Sequence, residues 1–368
     1  MRFVSLGLLG LGLWLGLGAM TTAALRIAPP KRAARQQTAR WCSAADKAES
    51  SLPLEPKIPP PPSVANAFLL LNGVAVIWGS QHALVKGTLD SFPTSSLNFW
   101  RFLSSALLFS PALVGVLSTK DQAQKNLVLR GGAELGLYTF LGFAFQSIGL
   151  ETTTASRSAF LLYLNVKFVP FLSAFLYQRA IPASVWASAA LALTGTYLLS
   201  TDGTNSSSFN TGDAWCIAAA LASAFFILRL ETIAQGGVKA SELTSISSAT
   251  VATLCALWVT ADTFQAANPS DGDIWQQYLV APVLENPWAP LYLGAITTSL
   301  CGYLQTLGQK VIPAERASII YSLDPLYGAA FSAYFLHEQF GPSGAVGGLF
   351  ILAGVALSSL AAGNKEVA

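Results

Sequence analysis

Charge is what this sequence has least of. Only 11% of its 368 residues are Asp, Glu, Lys or Arg, while 52% are hydrophobic. Soluble domains run at roughly a quarter charged, so this chain has too little polar surface to hide its apolar side chains from water. It holds two histidines, His82 and His337, too far apart for an HExxH metal site. Its four cysteines stand at 42, 216, 255 and 301, without a CxxC pair or a disulfide framework, and the last three fall inside apolar runs. No GxxxxGK[ST] loop occurs, which excludes ATP-driven work by this chain alone. A net charge of +2 is too small to point to nucleic acid. Nothing calls for a metal or a cofactor, and no His, Asp or Cys cluster converges as an enzyme would require.

What the sequence has in abundance is apolar stretches of helical length. From Val64 on they recur near 65–85, 97–117, 131–150, 158–177, 182–200, 213–231, 243–261, 289–309, 316–337 and 343–361. Each is long enough to cross a ~30 Å hydrocarbon core. Period-two alternation is missing, so the runs read as helices rather than barrel strands. The expected fold class is an all-α polytopic membrane protein with ten transmembrane helices. Lys120, Lys125, Arg130, Arg179, Lys239, Lys310 and Arg316 fall in connections on the side of the N-terminus; Asp90, Glu151, Asp202, Asp271, Asp273 and Glu285 fall on the other. The connection from Asp262 to Trp288 contains no Lys or Arg. Because basic residues stay on the non-translocated side, both ends of the helical region belong there.

The stretch from Arg316 to Phe340, RASIIYSLDPLYGAAFSAYFLHEQF, has a weaker copy 159 residues upstream, from Arg157 to Ile181. The offset pairs Arg157 with Arg316, Leu164 with Leu323, Gly195 with Gly354 and Ser200 with Ser359, and ten of 46 positions from Ala155 are identical. This is an internal repeat. With five helices per copy, an odd number, the second copy is inserted upside down relative to the first. Inverted repeats of this kind build carriers whose substrate site lies near the midplane.

Ahead of the helices stand two address-like segments. Residues 1–24 resemble a secretory signal peptide, with an apolar run from Val4 to Leu17. Residues 25–63 begin with Arg26, Lys31, Arg32, Arg35 and Arg40, with no acid before Asp46, and end in the Pro59–Pro62 run. The basic part looks like an organelle transit peptide, and signal followed by transit resembles the two-part leaders of complex plastids. A signal anchor with a basic tail, or a single transit peptide, are the alternatives. The destination expected is a plastid membrane, with an endomembrane or the plasma membrane as the alternative. The proline run is a stiff linker.

Several motifs then resemble one known family, the drug/metabolite transporter superfamily in its EamA-domain branch. LLNGVAVIWGSQHALVKG (Leu70 to Gly87) looks like its first-helix Trp-Gly start, and LNFWRFLSSALLF (Leu97 to Phe109) like its Arg-Phe second helix. GLETTTASRSAFL (Gly149 to Leu161) resembles the turn into the fourth helix. GDAWCIAAALASAFFIL (Gly212 to Leu228) resembles the second repeat's opening, and Glu315 to Leu357 its closing helices, Glu338 included. The resemblance implies two repeats, 64–200 and 212–362, and carriage of amino acids, organic amines, sugars or related metabolites. It departs where Arg179 stands opposite Glu338, and where Ser247 lies near the counterpart of Arg101.

Ionisable side chains at membrane depth cost at least ~2.5–3.5 kcal/mol on insertion scales, so each needs a reason. Lys167 lies near the middle of the fourth run, about 15 Å from either interface at 1.5 Å per residue. It is expected to face protein or water, to bind an anionic group or pair with a carboxylate, or to hold two helices together. Asp324, before Pro325 near the middle of the ninth run, is its expected partner; an ordinary proline kink is the alternative. Tyr163, four residues before Lys167, shares its expected helix face. Trp78, Gln81 and His82 form a polar-aromatic stripe on the first helix, with Gln146 and Gln305 at similar depth, and Asn165 and Tyr321 complete the candidate substrate-binding set. An ordinary packing role is the alternative for each. Arg101 reads as an interfacial anchor or a partner of Asp90, and Arg229 and Glu231 as a helix end. Gly344 and Gly348 in the last helix permit close helix approach, within the bundle or in a homodimer. The expected function is a secondary carrier of a small monoanionic or zwitterionic metabolite. A polytopic membrane enzyme or a non-transporting scaffold is the alternative.

Overall fold

A computed structural model of the chain describes residues 61–88, 92–153, 155–200, 210–266, 273, 275–336 and 341–363. Residues 1–60 of the leader with Cys42, and Asp90, Asn205, His337 and Glu338, lie outside them, as does the side chain of His82. Among the described residues there are helices and no strand. In order they are α1 (Val64–Thr88), α2 (Thr94–Leu108), α3 (Ser110–Ser118), α4 (Gln122–Leu150), α5 (Ala155–Leu162), α6 (Asn165–Tyr177), α7 (Ala183–Ser200), α8 (Thr211–Ala234) and α9 (Ala240–Ala266). A π-helical turn Gln276–Val280 and α10 (Ala281–Glu285) follow, then α11 (Trp288–Tyr292), a π-helical segment Leu293–Leu300, α12 (Cys301–Gln309), α13 (Ala314–Tyr321), α14 (Asp324–Leu336) and α15 (Pro342–Gly363).

Four described stretches are long and apolar enough to cross a membrane: Val64–Gln81, Phe160–Tyr177, Thr211–Ala234 and Ala240–Phe264; α2 with α3 makes a fifth as one bent span. Helix lies over the other expected stretches too, in α4, α7, α11–α12, α13–α14 and α15.

Local chemistry sets the starts and breaks. Ser63, just past the proline run, caps α1 by accepting the Asn66 amide at 3.3 Å. Asp121 caps α4 by accepting the Ala123 and Gln124 amides, and α8 opens in a capping box between Asn210 and Asp213. The chain turns by 59° between α2 and α3, where Pro111 has no N–H for the helical ladder. The fourth and ninth runs are both interrupted. Tyr163–Leu164 separates α5 from α6 and Ser322–Leu323 separates α13 from α14, each as a tight turn held by i→i+3 bonds such as Val166 N–Tyr163 O (3.1 Å) and Leu323 N–Ile320 O (3.1 Å). The 159-residue repeat offset lays one break on the other.

Packing repeats the symmetry. The strongest pairings are α7 with α15, α4 with α8 and α9, α9 with α2, and α1 with α12 and α14. Exchanging the halves turns α4–α8 into α12–α1, α4–α9 into the Leu293–Leu300 segment with α2, and α1–α14 into α8–α6, while α7–α15 and α2–α9 map onto themselves. At the α7–α15 seam the matched glycines are spent on proximity. A Cβ on Gly195 would stand 2.5 Å from the Gly347 carbonyl, and one on Gly354 2.8 Å from the Ser188 carbonyl. Gly348 packs on Leu326 of α14, so the small face of α15 serves contacts within the chain.

The connections sort into two ends. At one, Lys310 Nζ donates to the Val238 carbonyl (2.7 Å) and Arg179 bridges Glu231 and Glu315. At the other, Ser95 Oγ donates to Asp262 (2.6 Å), Thr153 Oγ1 to Asp213 (2.7 Å) and Asn210 Nδ2 to the Thr152 carbonyl (2.8 Å). Among the described residues, Arg179 and Lys310 thus lie at one end, and Asp213 and Asp262 at the other.

Replacing Gly354 by Leu forces α7 and α15 apart, and a loss of ~1–3 kcal/mol or more is expected from overpacking of this kind. Gly73→Leu, where a Cβ meets nothing within 4 Å, is expected to be near neutral. Thermal unfolding of both variants in detergent checks the contrast.

Candidate functional site

The broken helices meet at a cavity of about 270 Å³. The first half supplies Trp78 and Gln81 from α1, Arg101 from α2, Tyr138, Phe143 and Gln146 from α4, and Tyr163 and Asn165 from the α5–α6 break. The second half supplies Ser223 and Phe226 from α8, Thr244, Ser247 and Ser248 from α9, Thr297 and Thr298 from the π-helical segment, Gln305 from α12, and Tyr321 and Asp324 from the α13–α14 break. Among the described residues, none of α7 or α15 lines this wall.

Asn165 and Asp324 are repeat counterparts, each the first residue after its break. Both are buried. A half-helix that begins at the cavity presents the positive end of its dipole there. Asp324 profits from that environment, and the Tyr163 hydroxyl donates to its carboxylate. Pro325 suits the second position of α14, where no N–H is needed.

Arg101 is the buried cation of the site, 6% exposed. Its Nε donates to Thr298 Oγ1 at 2.7 Å and its Nη2 to Gln81 Oε1 at 3.0 Å. The guanidinium lies 4.9 Å from the Phe143 ring centroid and 5.5 Å from that of Phe102, within cation–π range. None of the ion pairs among the described residues involves it. The π-helical segment helps to build this corner. It turns the Thr297 carbonyl to accept Trp78 Nε1 at 3.1 Å, and a Cβ on Gly294 would stand 2.5 Å from the Arg101 carbonyl; π-bulges recur at functional sites. Two buried polar atoms of the wall have no partner among the described residues: Asn165 Oδ1 and Thr244 Oγ1.

Two stretches of the chain, residues 65–201 and 210–360, match the model of the EamA-like transporter family. This chain belongs to the EamA-like transporter family. Its two EamA repeats place it in the drug/metabolite transporter superfamily, and make it a multi-pass membrane protein and a membrane transporter. An uncharacterized transporter of Archaeoglobus fulgidus is 28% identical over 294 residues, covering 80% of this chain and 86% of its own. A solved crystal structure, titled only as that of a protein, superposes with a TM-score of 0.60 at 17% identity, covering 80% of this chain and 96% of its own, and shares the fold.

For this EamA protein the structure brings together eight of the ten sequence-derived candidates: Trp78, Gln81, Gln146, Tyr163, Asn165, Gln305, Tyr321 and Asp324. The side chain of His82 lies outside the described residues. Lys167 is a correction. It is exposed on the outer face of α6 beside Phe171 and Phe175, and it does not reach Asp324. The reason is the break at Tyr163–Leu164. An unbroken helix would align residues four apart, but the turn sends Tyr163 inward and Lys167 outward. Arg101 is the second correction, a cavity residue rather than an anchor at the interface. The cluster of threonines and serines was missed because single hydroxyls are cheap in any helix and leave no sequence signal.

Glu231 is more than a helix end. It is 3% exposed and accepts from Arg179 Nη1 at 2.9 and 3.0 Å, and from the Ala314 amide at 3.1 Å. The same Nη1 reaches Glu315 at 3.3 Å, to which the Ser173 hydroxyl also donates. Burial alone would lower the Arg179 guanidinium, but its bonds to Glu231 and the charges of both glutamates outweigh that and raise it. One cation thus ties α6, α8 and α13 at the basic end. Nearby, Arg229 pairs with Glu134 at 2.5 Å. Removing Arg179 leaves two buried carboxylates facing each other. Breaking a buried pair costs about 3–5 kcal/mol, and a third of the Arg179 side chain is exposed, so Arg179→Gln is expected to cost ~1–3 kcal/mol. Most of that loss should return in the double variant with Glu315→Gln, read by unfolding in detergent as a double-mutant cycle.

Proposed function

We propose that this chain is a secondary carrier that moves a small organic metabolite by alternating access, its ten helices crossing the membrane as two inverted five-helix repeats. The observation that carries the reading is the cavity shared by both repeats, largely apolar, with one cation, Arg101, and one carboxylate, Asp324, among the described residues of its wall. Helices interrupted at the midplane are where inverted-repeat carriers hold their solutes. The near-symmetric pairing of the two halves supports a rocking motion in which each half in turn closes the cavity. In the conformation described, Arg179 with Glu231 and Glu315 clamps the basic end, and reversal requires that clamp to open.

The solute is monoanionic or zwitterionic. A single cation among the described wall residues is too little for a phosphate dianion, and Asp324 repels a second negative charge while favouring an ammonium. A volume of about 270 Å³ falls below the ~300–1,000 Å³ of sites for drug-sized ligands, as suits an amino acid or a molecule of that scale. The signal-like and transit-like segments favour a plastid membrane as its address.

The experiment is uptake of labelled amino acids, organic acids, amines and sugars into proteoliposomes, with and without a pH gradient. Wild-type protein is expected to accumulate at least one of them. Asp324→Asn should lower that uptake about 10- to 100-fold, the worth of a hydrogen bond to a charged group, and Lys167→Met should leave it within about two-fold, as surface substitutions do. Full activity in Asp324→Asn would remove the cavity from the pathway.

A further inference from the structure

We infer that Arg101 is the carboxylate-binding residue of this cavity, and that the transported solute carries one carboxylate, which docks on the guanidinium between Gln81 and Thr298. The inference rests on the carrier reading and narrows its substrate class.

Of the five N–H donors of a guanidinium, two are engaged, by Thr298 Oγ1 and Gln81 Oε1. Those bonds, with Phe102 and Phe143 against the planar group, hold the fork in one orientation. Remaining donors have no carboxylate among the described residues. A buried cation without a counter-ion inside a membrane is expensive and marks a functional site by default. A planar fork matches a carboxylate with two parallel hydrogen bonds, which a lysine cannot do.

The repeat shows why one anionic group is accepted and no more. Near the counterpart of Arg101 the second half has Ser247, also in the wall, and Asp324 answers to Asn165. Among the described wall residues each half keeps a single charge, of opposite sign. Asn165 Oδ1 and Thr244 Oγ1, without a partner among the described residues, are buried wall atoms that ask for a ligand. They offer acceptors and donors to the remainder of a solute whose carboxylate Arg101 holds.

The test uses the full chain in detergent, with thermal unfolding read against millimolar acetate, propionate, benzoate, alanine and leucine, each beside its primary amide, and against inorganic phosphate. Carboxylates are expected to raise the melting temperature saturably where amides and phosphate do not. Half-saturation should weaken about 10- to 100-fold in Arg101→Gln, less in Arg101→Lys, and stay unchanged in Lys167→Met. If Arg101→Gln does not fold, Arg101→Lys decides, since it keeps the charge and loses only the fork. Stabilisation by amides equal to that by acids, stabilisation that survives the Arg101 variants, or no response to any carboxylate would each overturn the inference. Proteoliposome uptake separates it from the carrier reading. Carboxylates that bind but never cross leave Arg101 standing and remove the carrier. Uptake only of solutes without a carboxylate does the reverse.

Discussion

In hydrocarbon, a peptide group that leaves the helical ladder must find its partner inside the protein, because no water will supply one. That constraint sorts this fold. Where α1, α4, α8 and α9 run unbroken, the backbone satisfies itself and the side chains are left to pack. Where the ladder is interrupted, at Tyr163–Leu164, at Ser322–Leu323 and through the π-helical Leu293–Leu300, the irregular backbone lies against the cavity and against neighbouring helices. Residues at or beside the breaks fill the wall: Tyr163, Asn165, Thr297, Thr298, Tyr321 and Asp324. The site exists where it does because those are the places at which the chain could afford to stop being a regular helix.

The repeat explains the framework, and its divergence explains the chemistry. Gly195 and Gly354 are matched by the offset and do the same thing, bringing the backbones of α7 and α15 together. Positions facing the cavity are not matched. Asn165 answers to Asp324, and Ser247 lies near the counterpart of Arg101. Two identical halves would give a cavity with paired charges of one sign, costly to bury and suited to a doubly charged solute. One cation and one carboxylate divided between the halves leave the described residues of the wall electrically balanced.

The helical class, the repeat and its family were legible because they rest on long-range regularities: apolar runs of spanning length, basic residues in alternate connections, and an unbroken 159-residue offset. The candidate cavity wall was legible where a polar residue within an apolar run marks itself, as for Asp324, Gln146 and Gln305. The sequence misled at Lys167, which points outward. Direction depends on helical phase, and the turn at Tyr163–Leu164 resets that phase without any proline or glycine to announce it. Arg101 was hidden by the opposite error. Its place one turn inside α2 looked interfacial on a straight helix, yet the packing of α2 against α9 and the Leu293–Leu300 segment buries it.

The same two halves are joined by interfaces of different kinds, and under the carrier reading that difference assigns them different work. Backbone-to-backbone contact at α7–α15 is short-range and unforgiving, since dispersion falls off steeply with separation and small residues leave nothing flexible to fill a gap. That seam suits a fixed axis, and among the described residues it contributes no wall to the cavity. The clamp of Arg179 with Glu231 and Glu315 is long-range and partly solvated, so it can part and re-form at modest cost while water takes up its charges. A motion that opens the basic end therefore strains the charged clamp first and the glycine seam last.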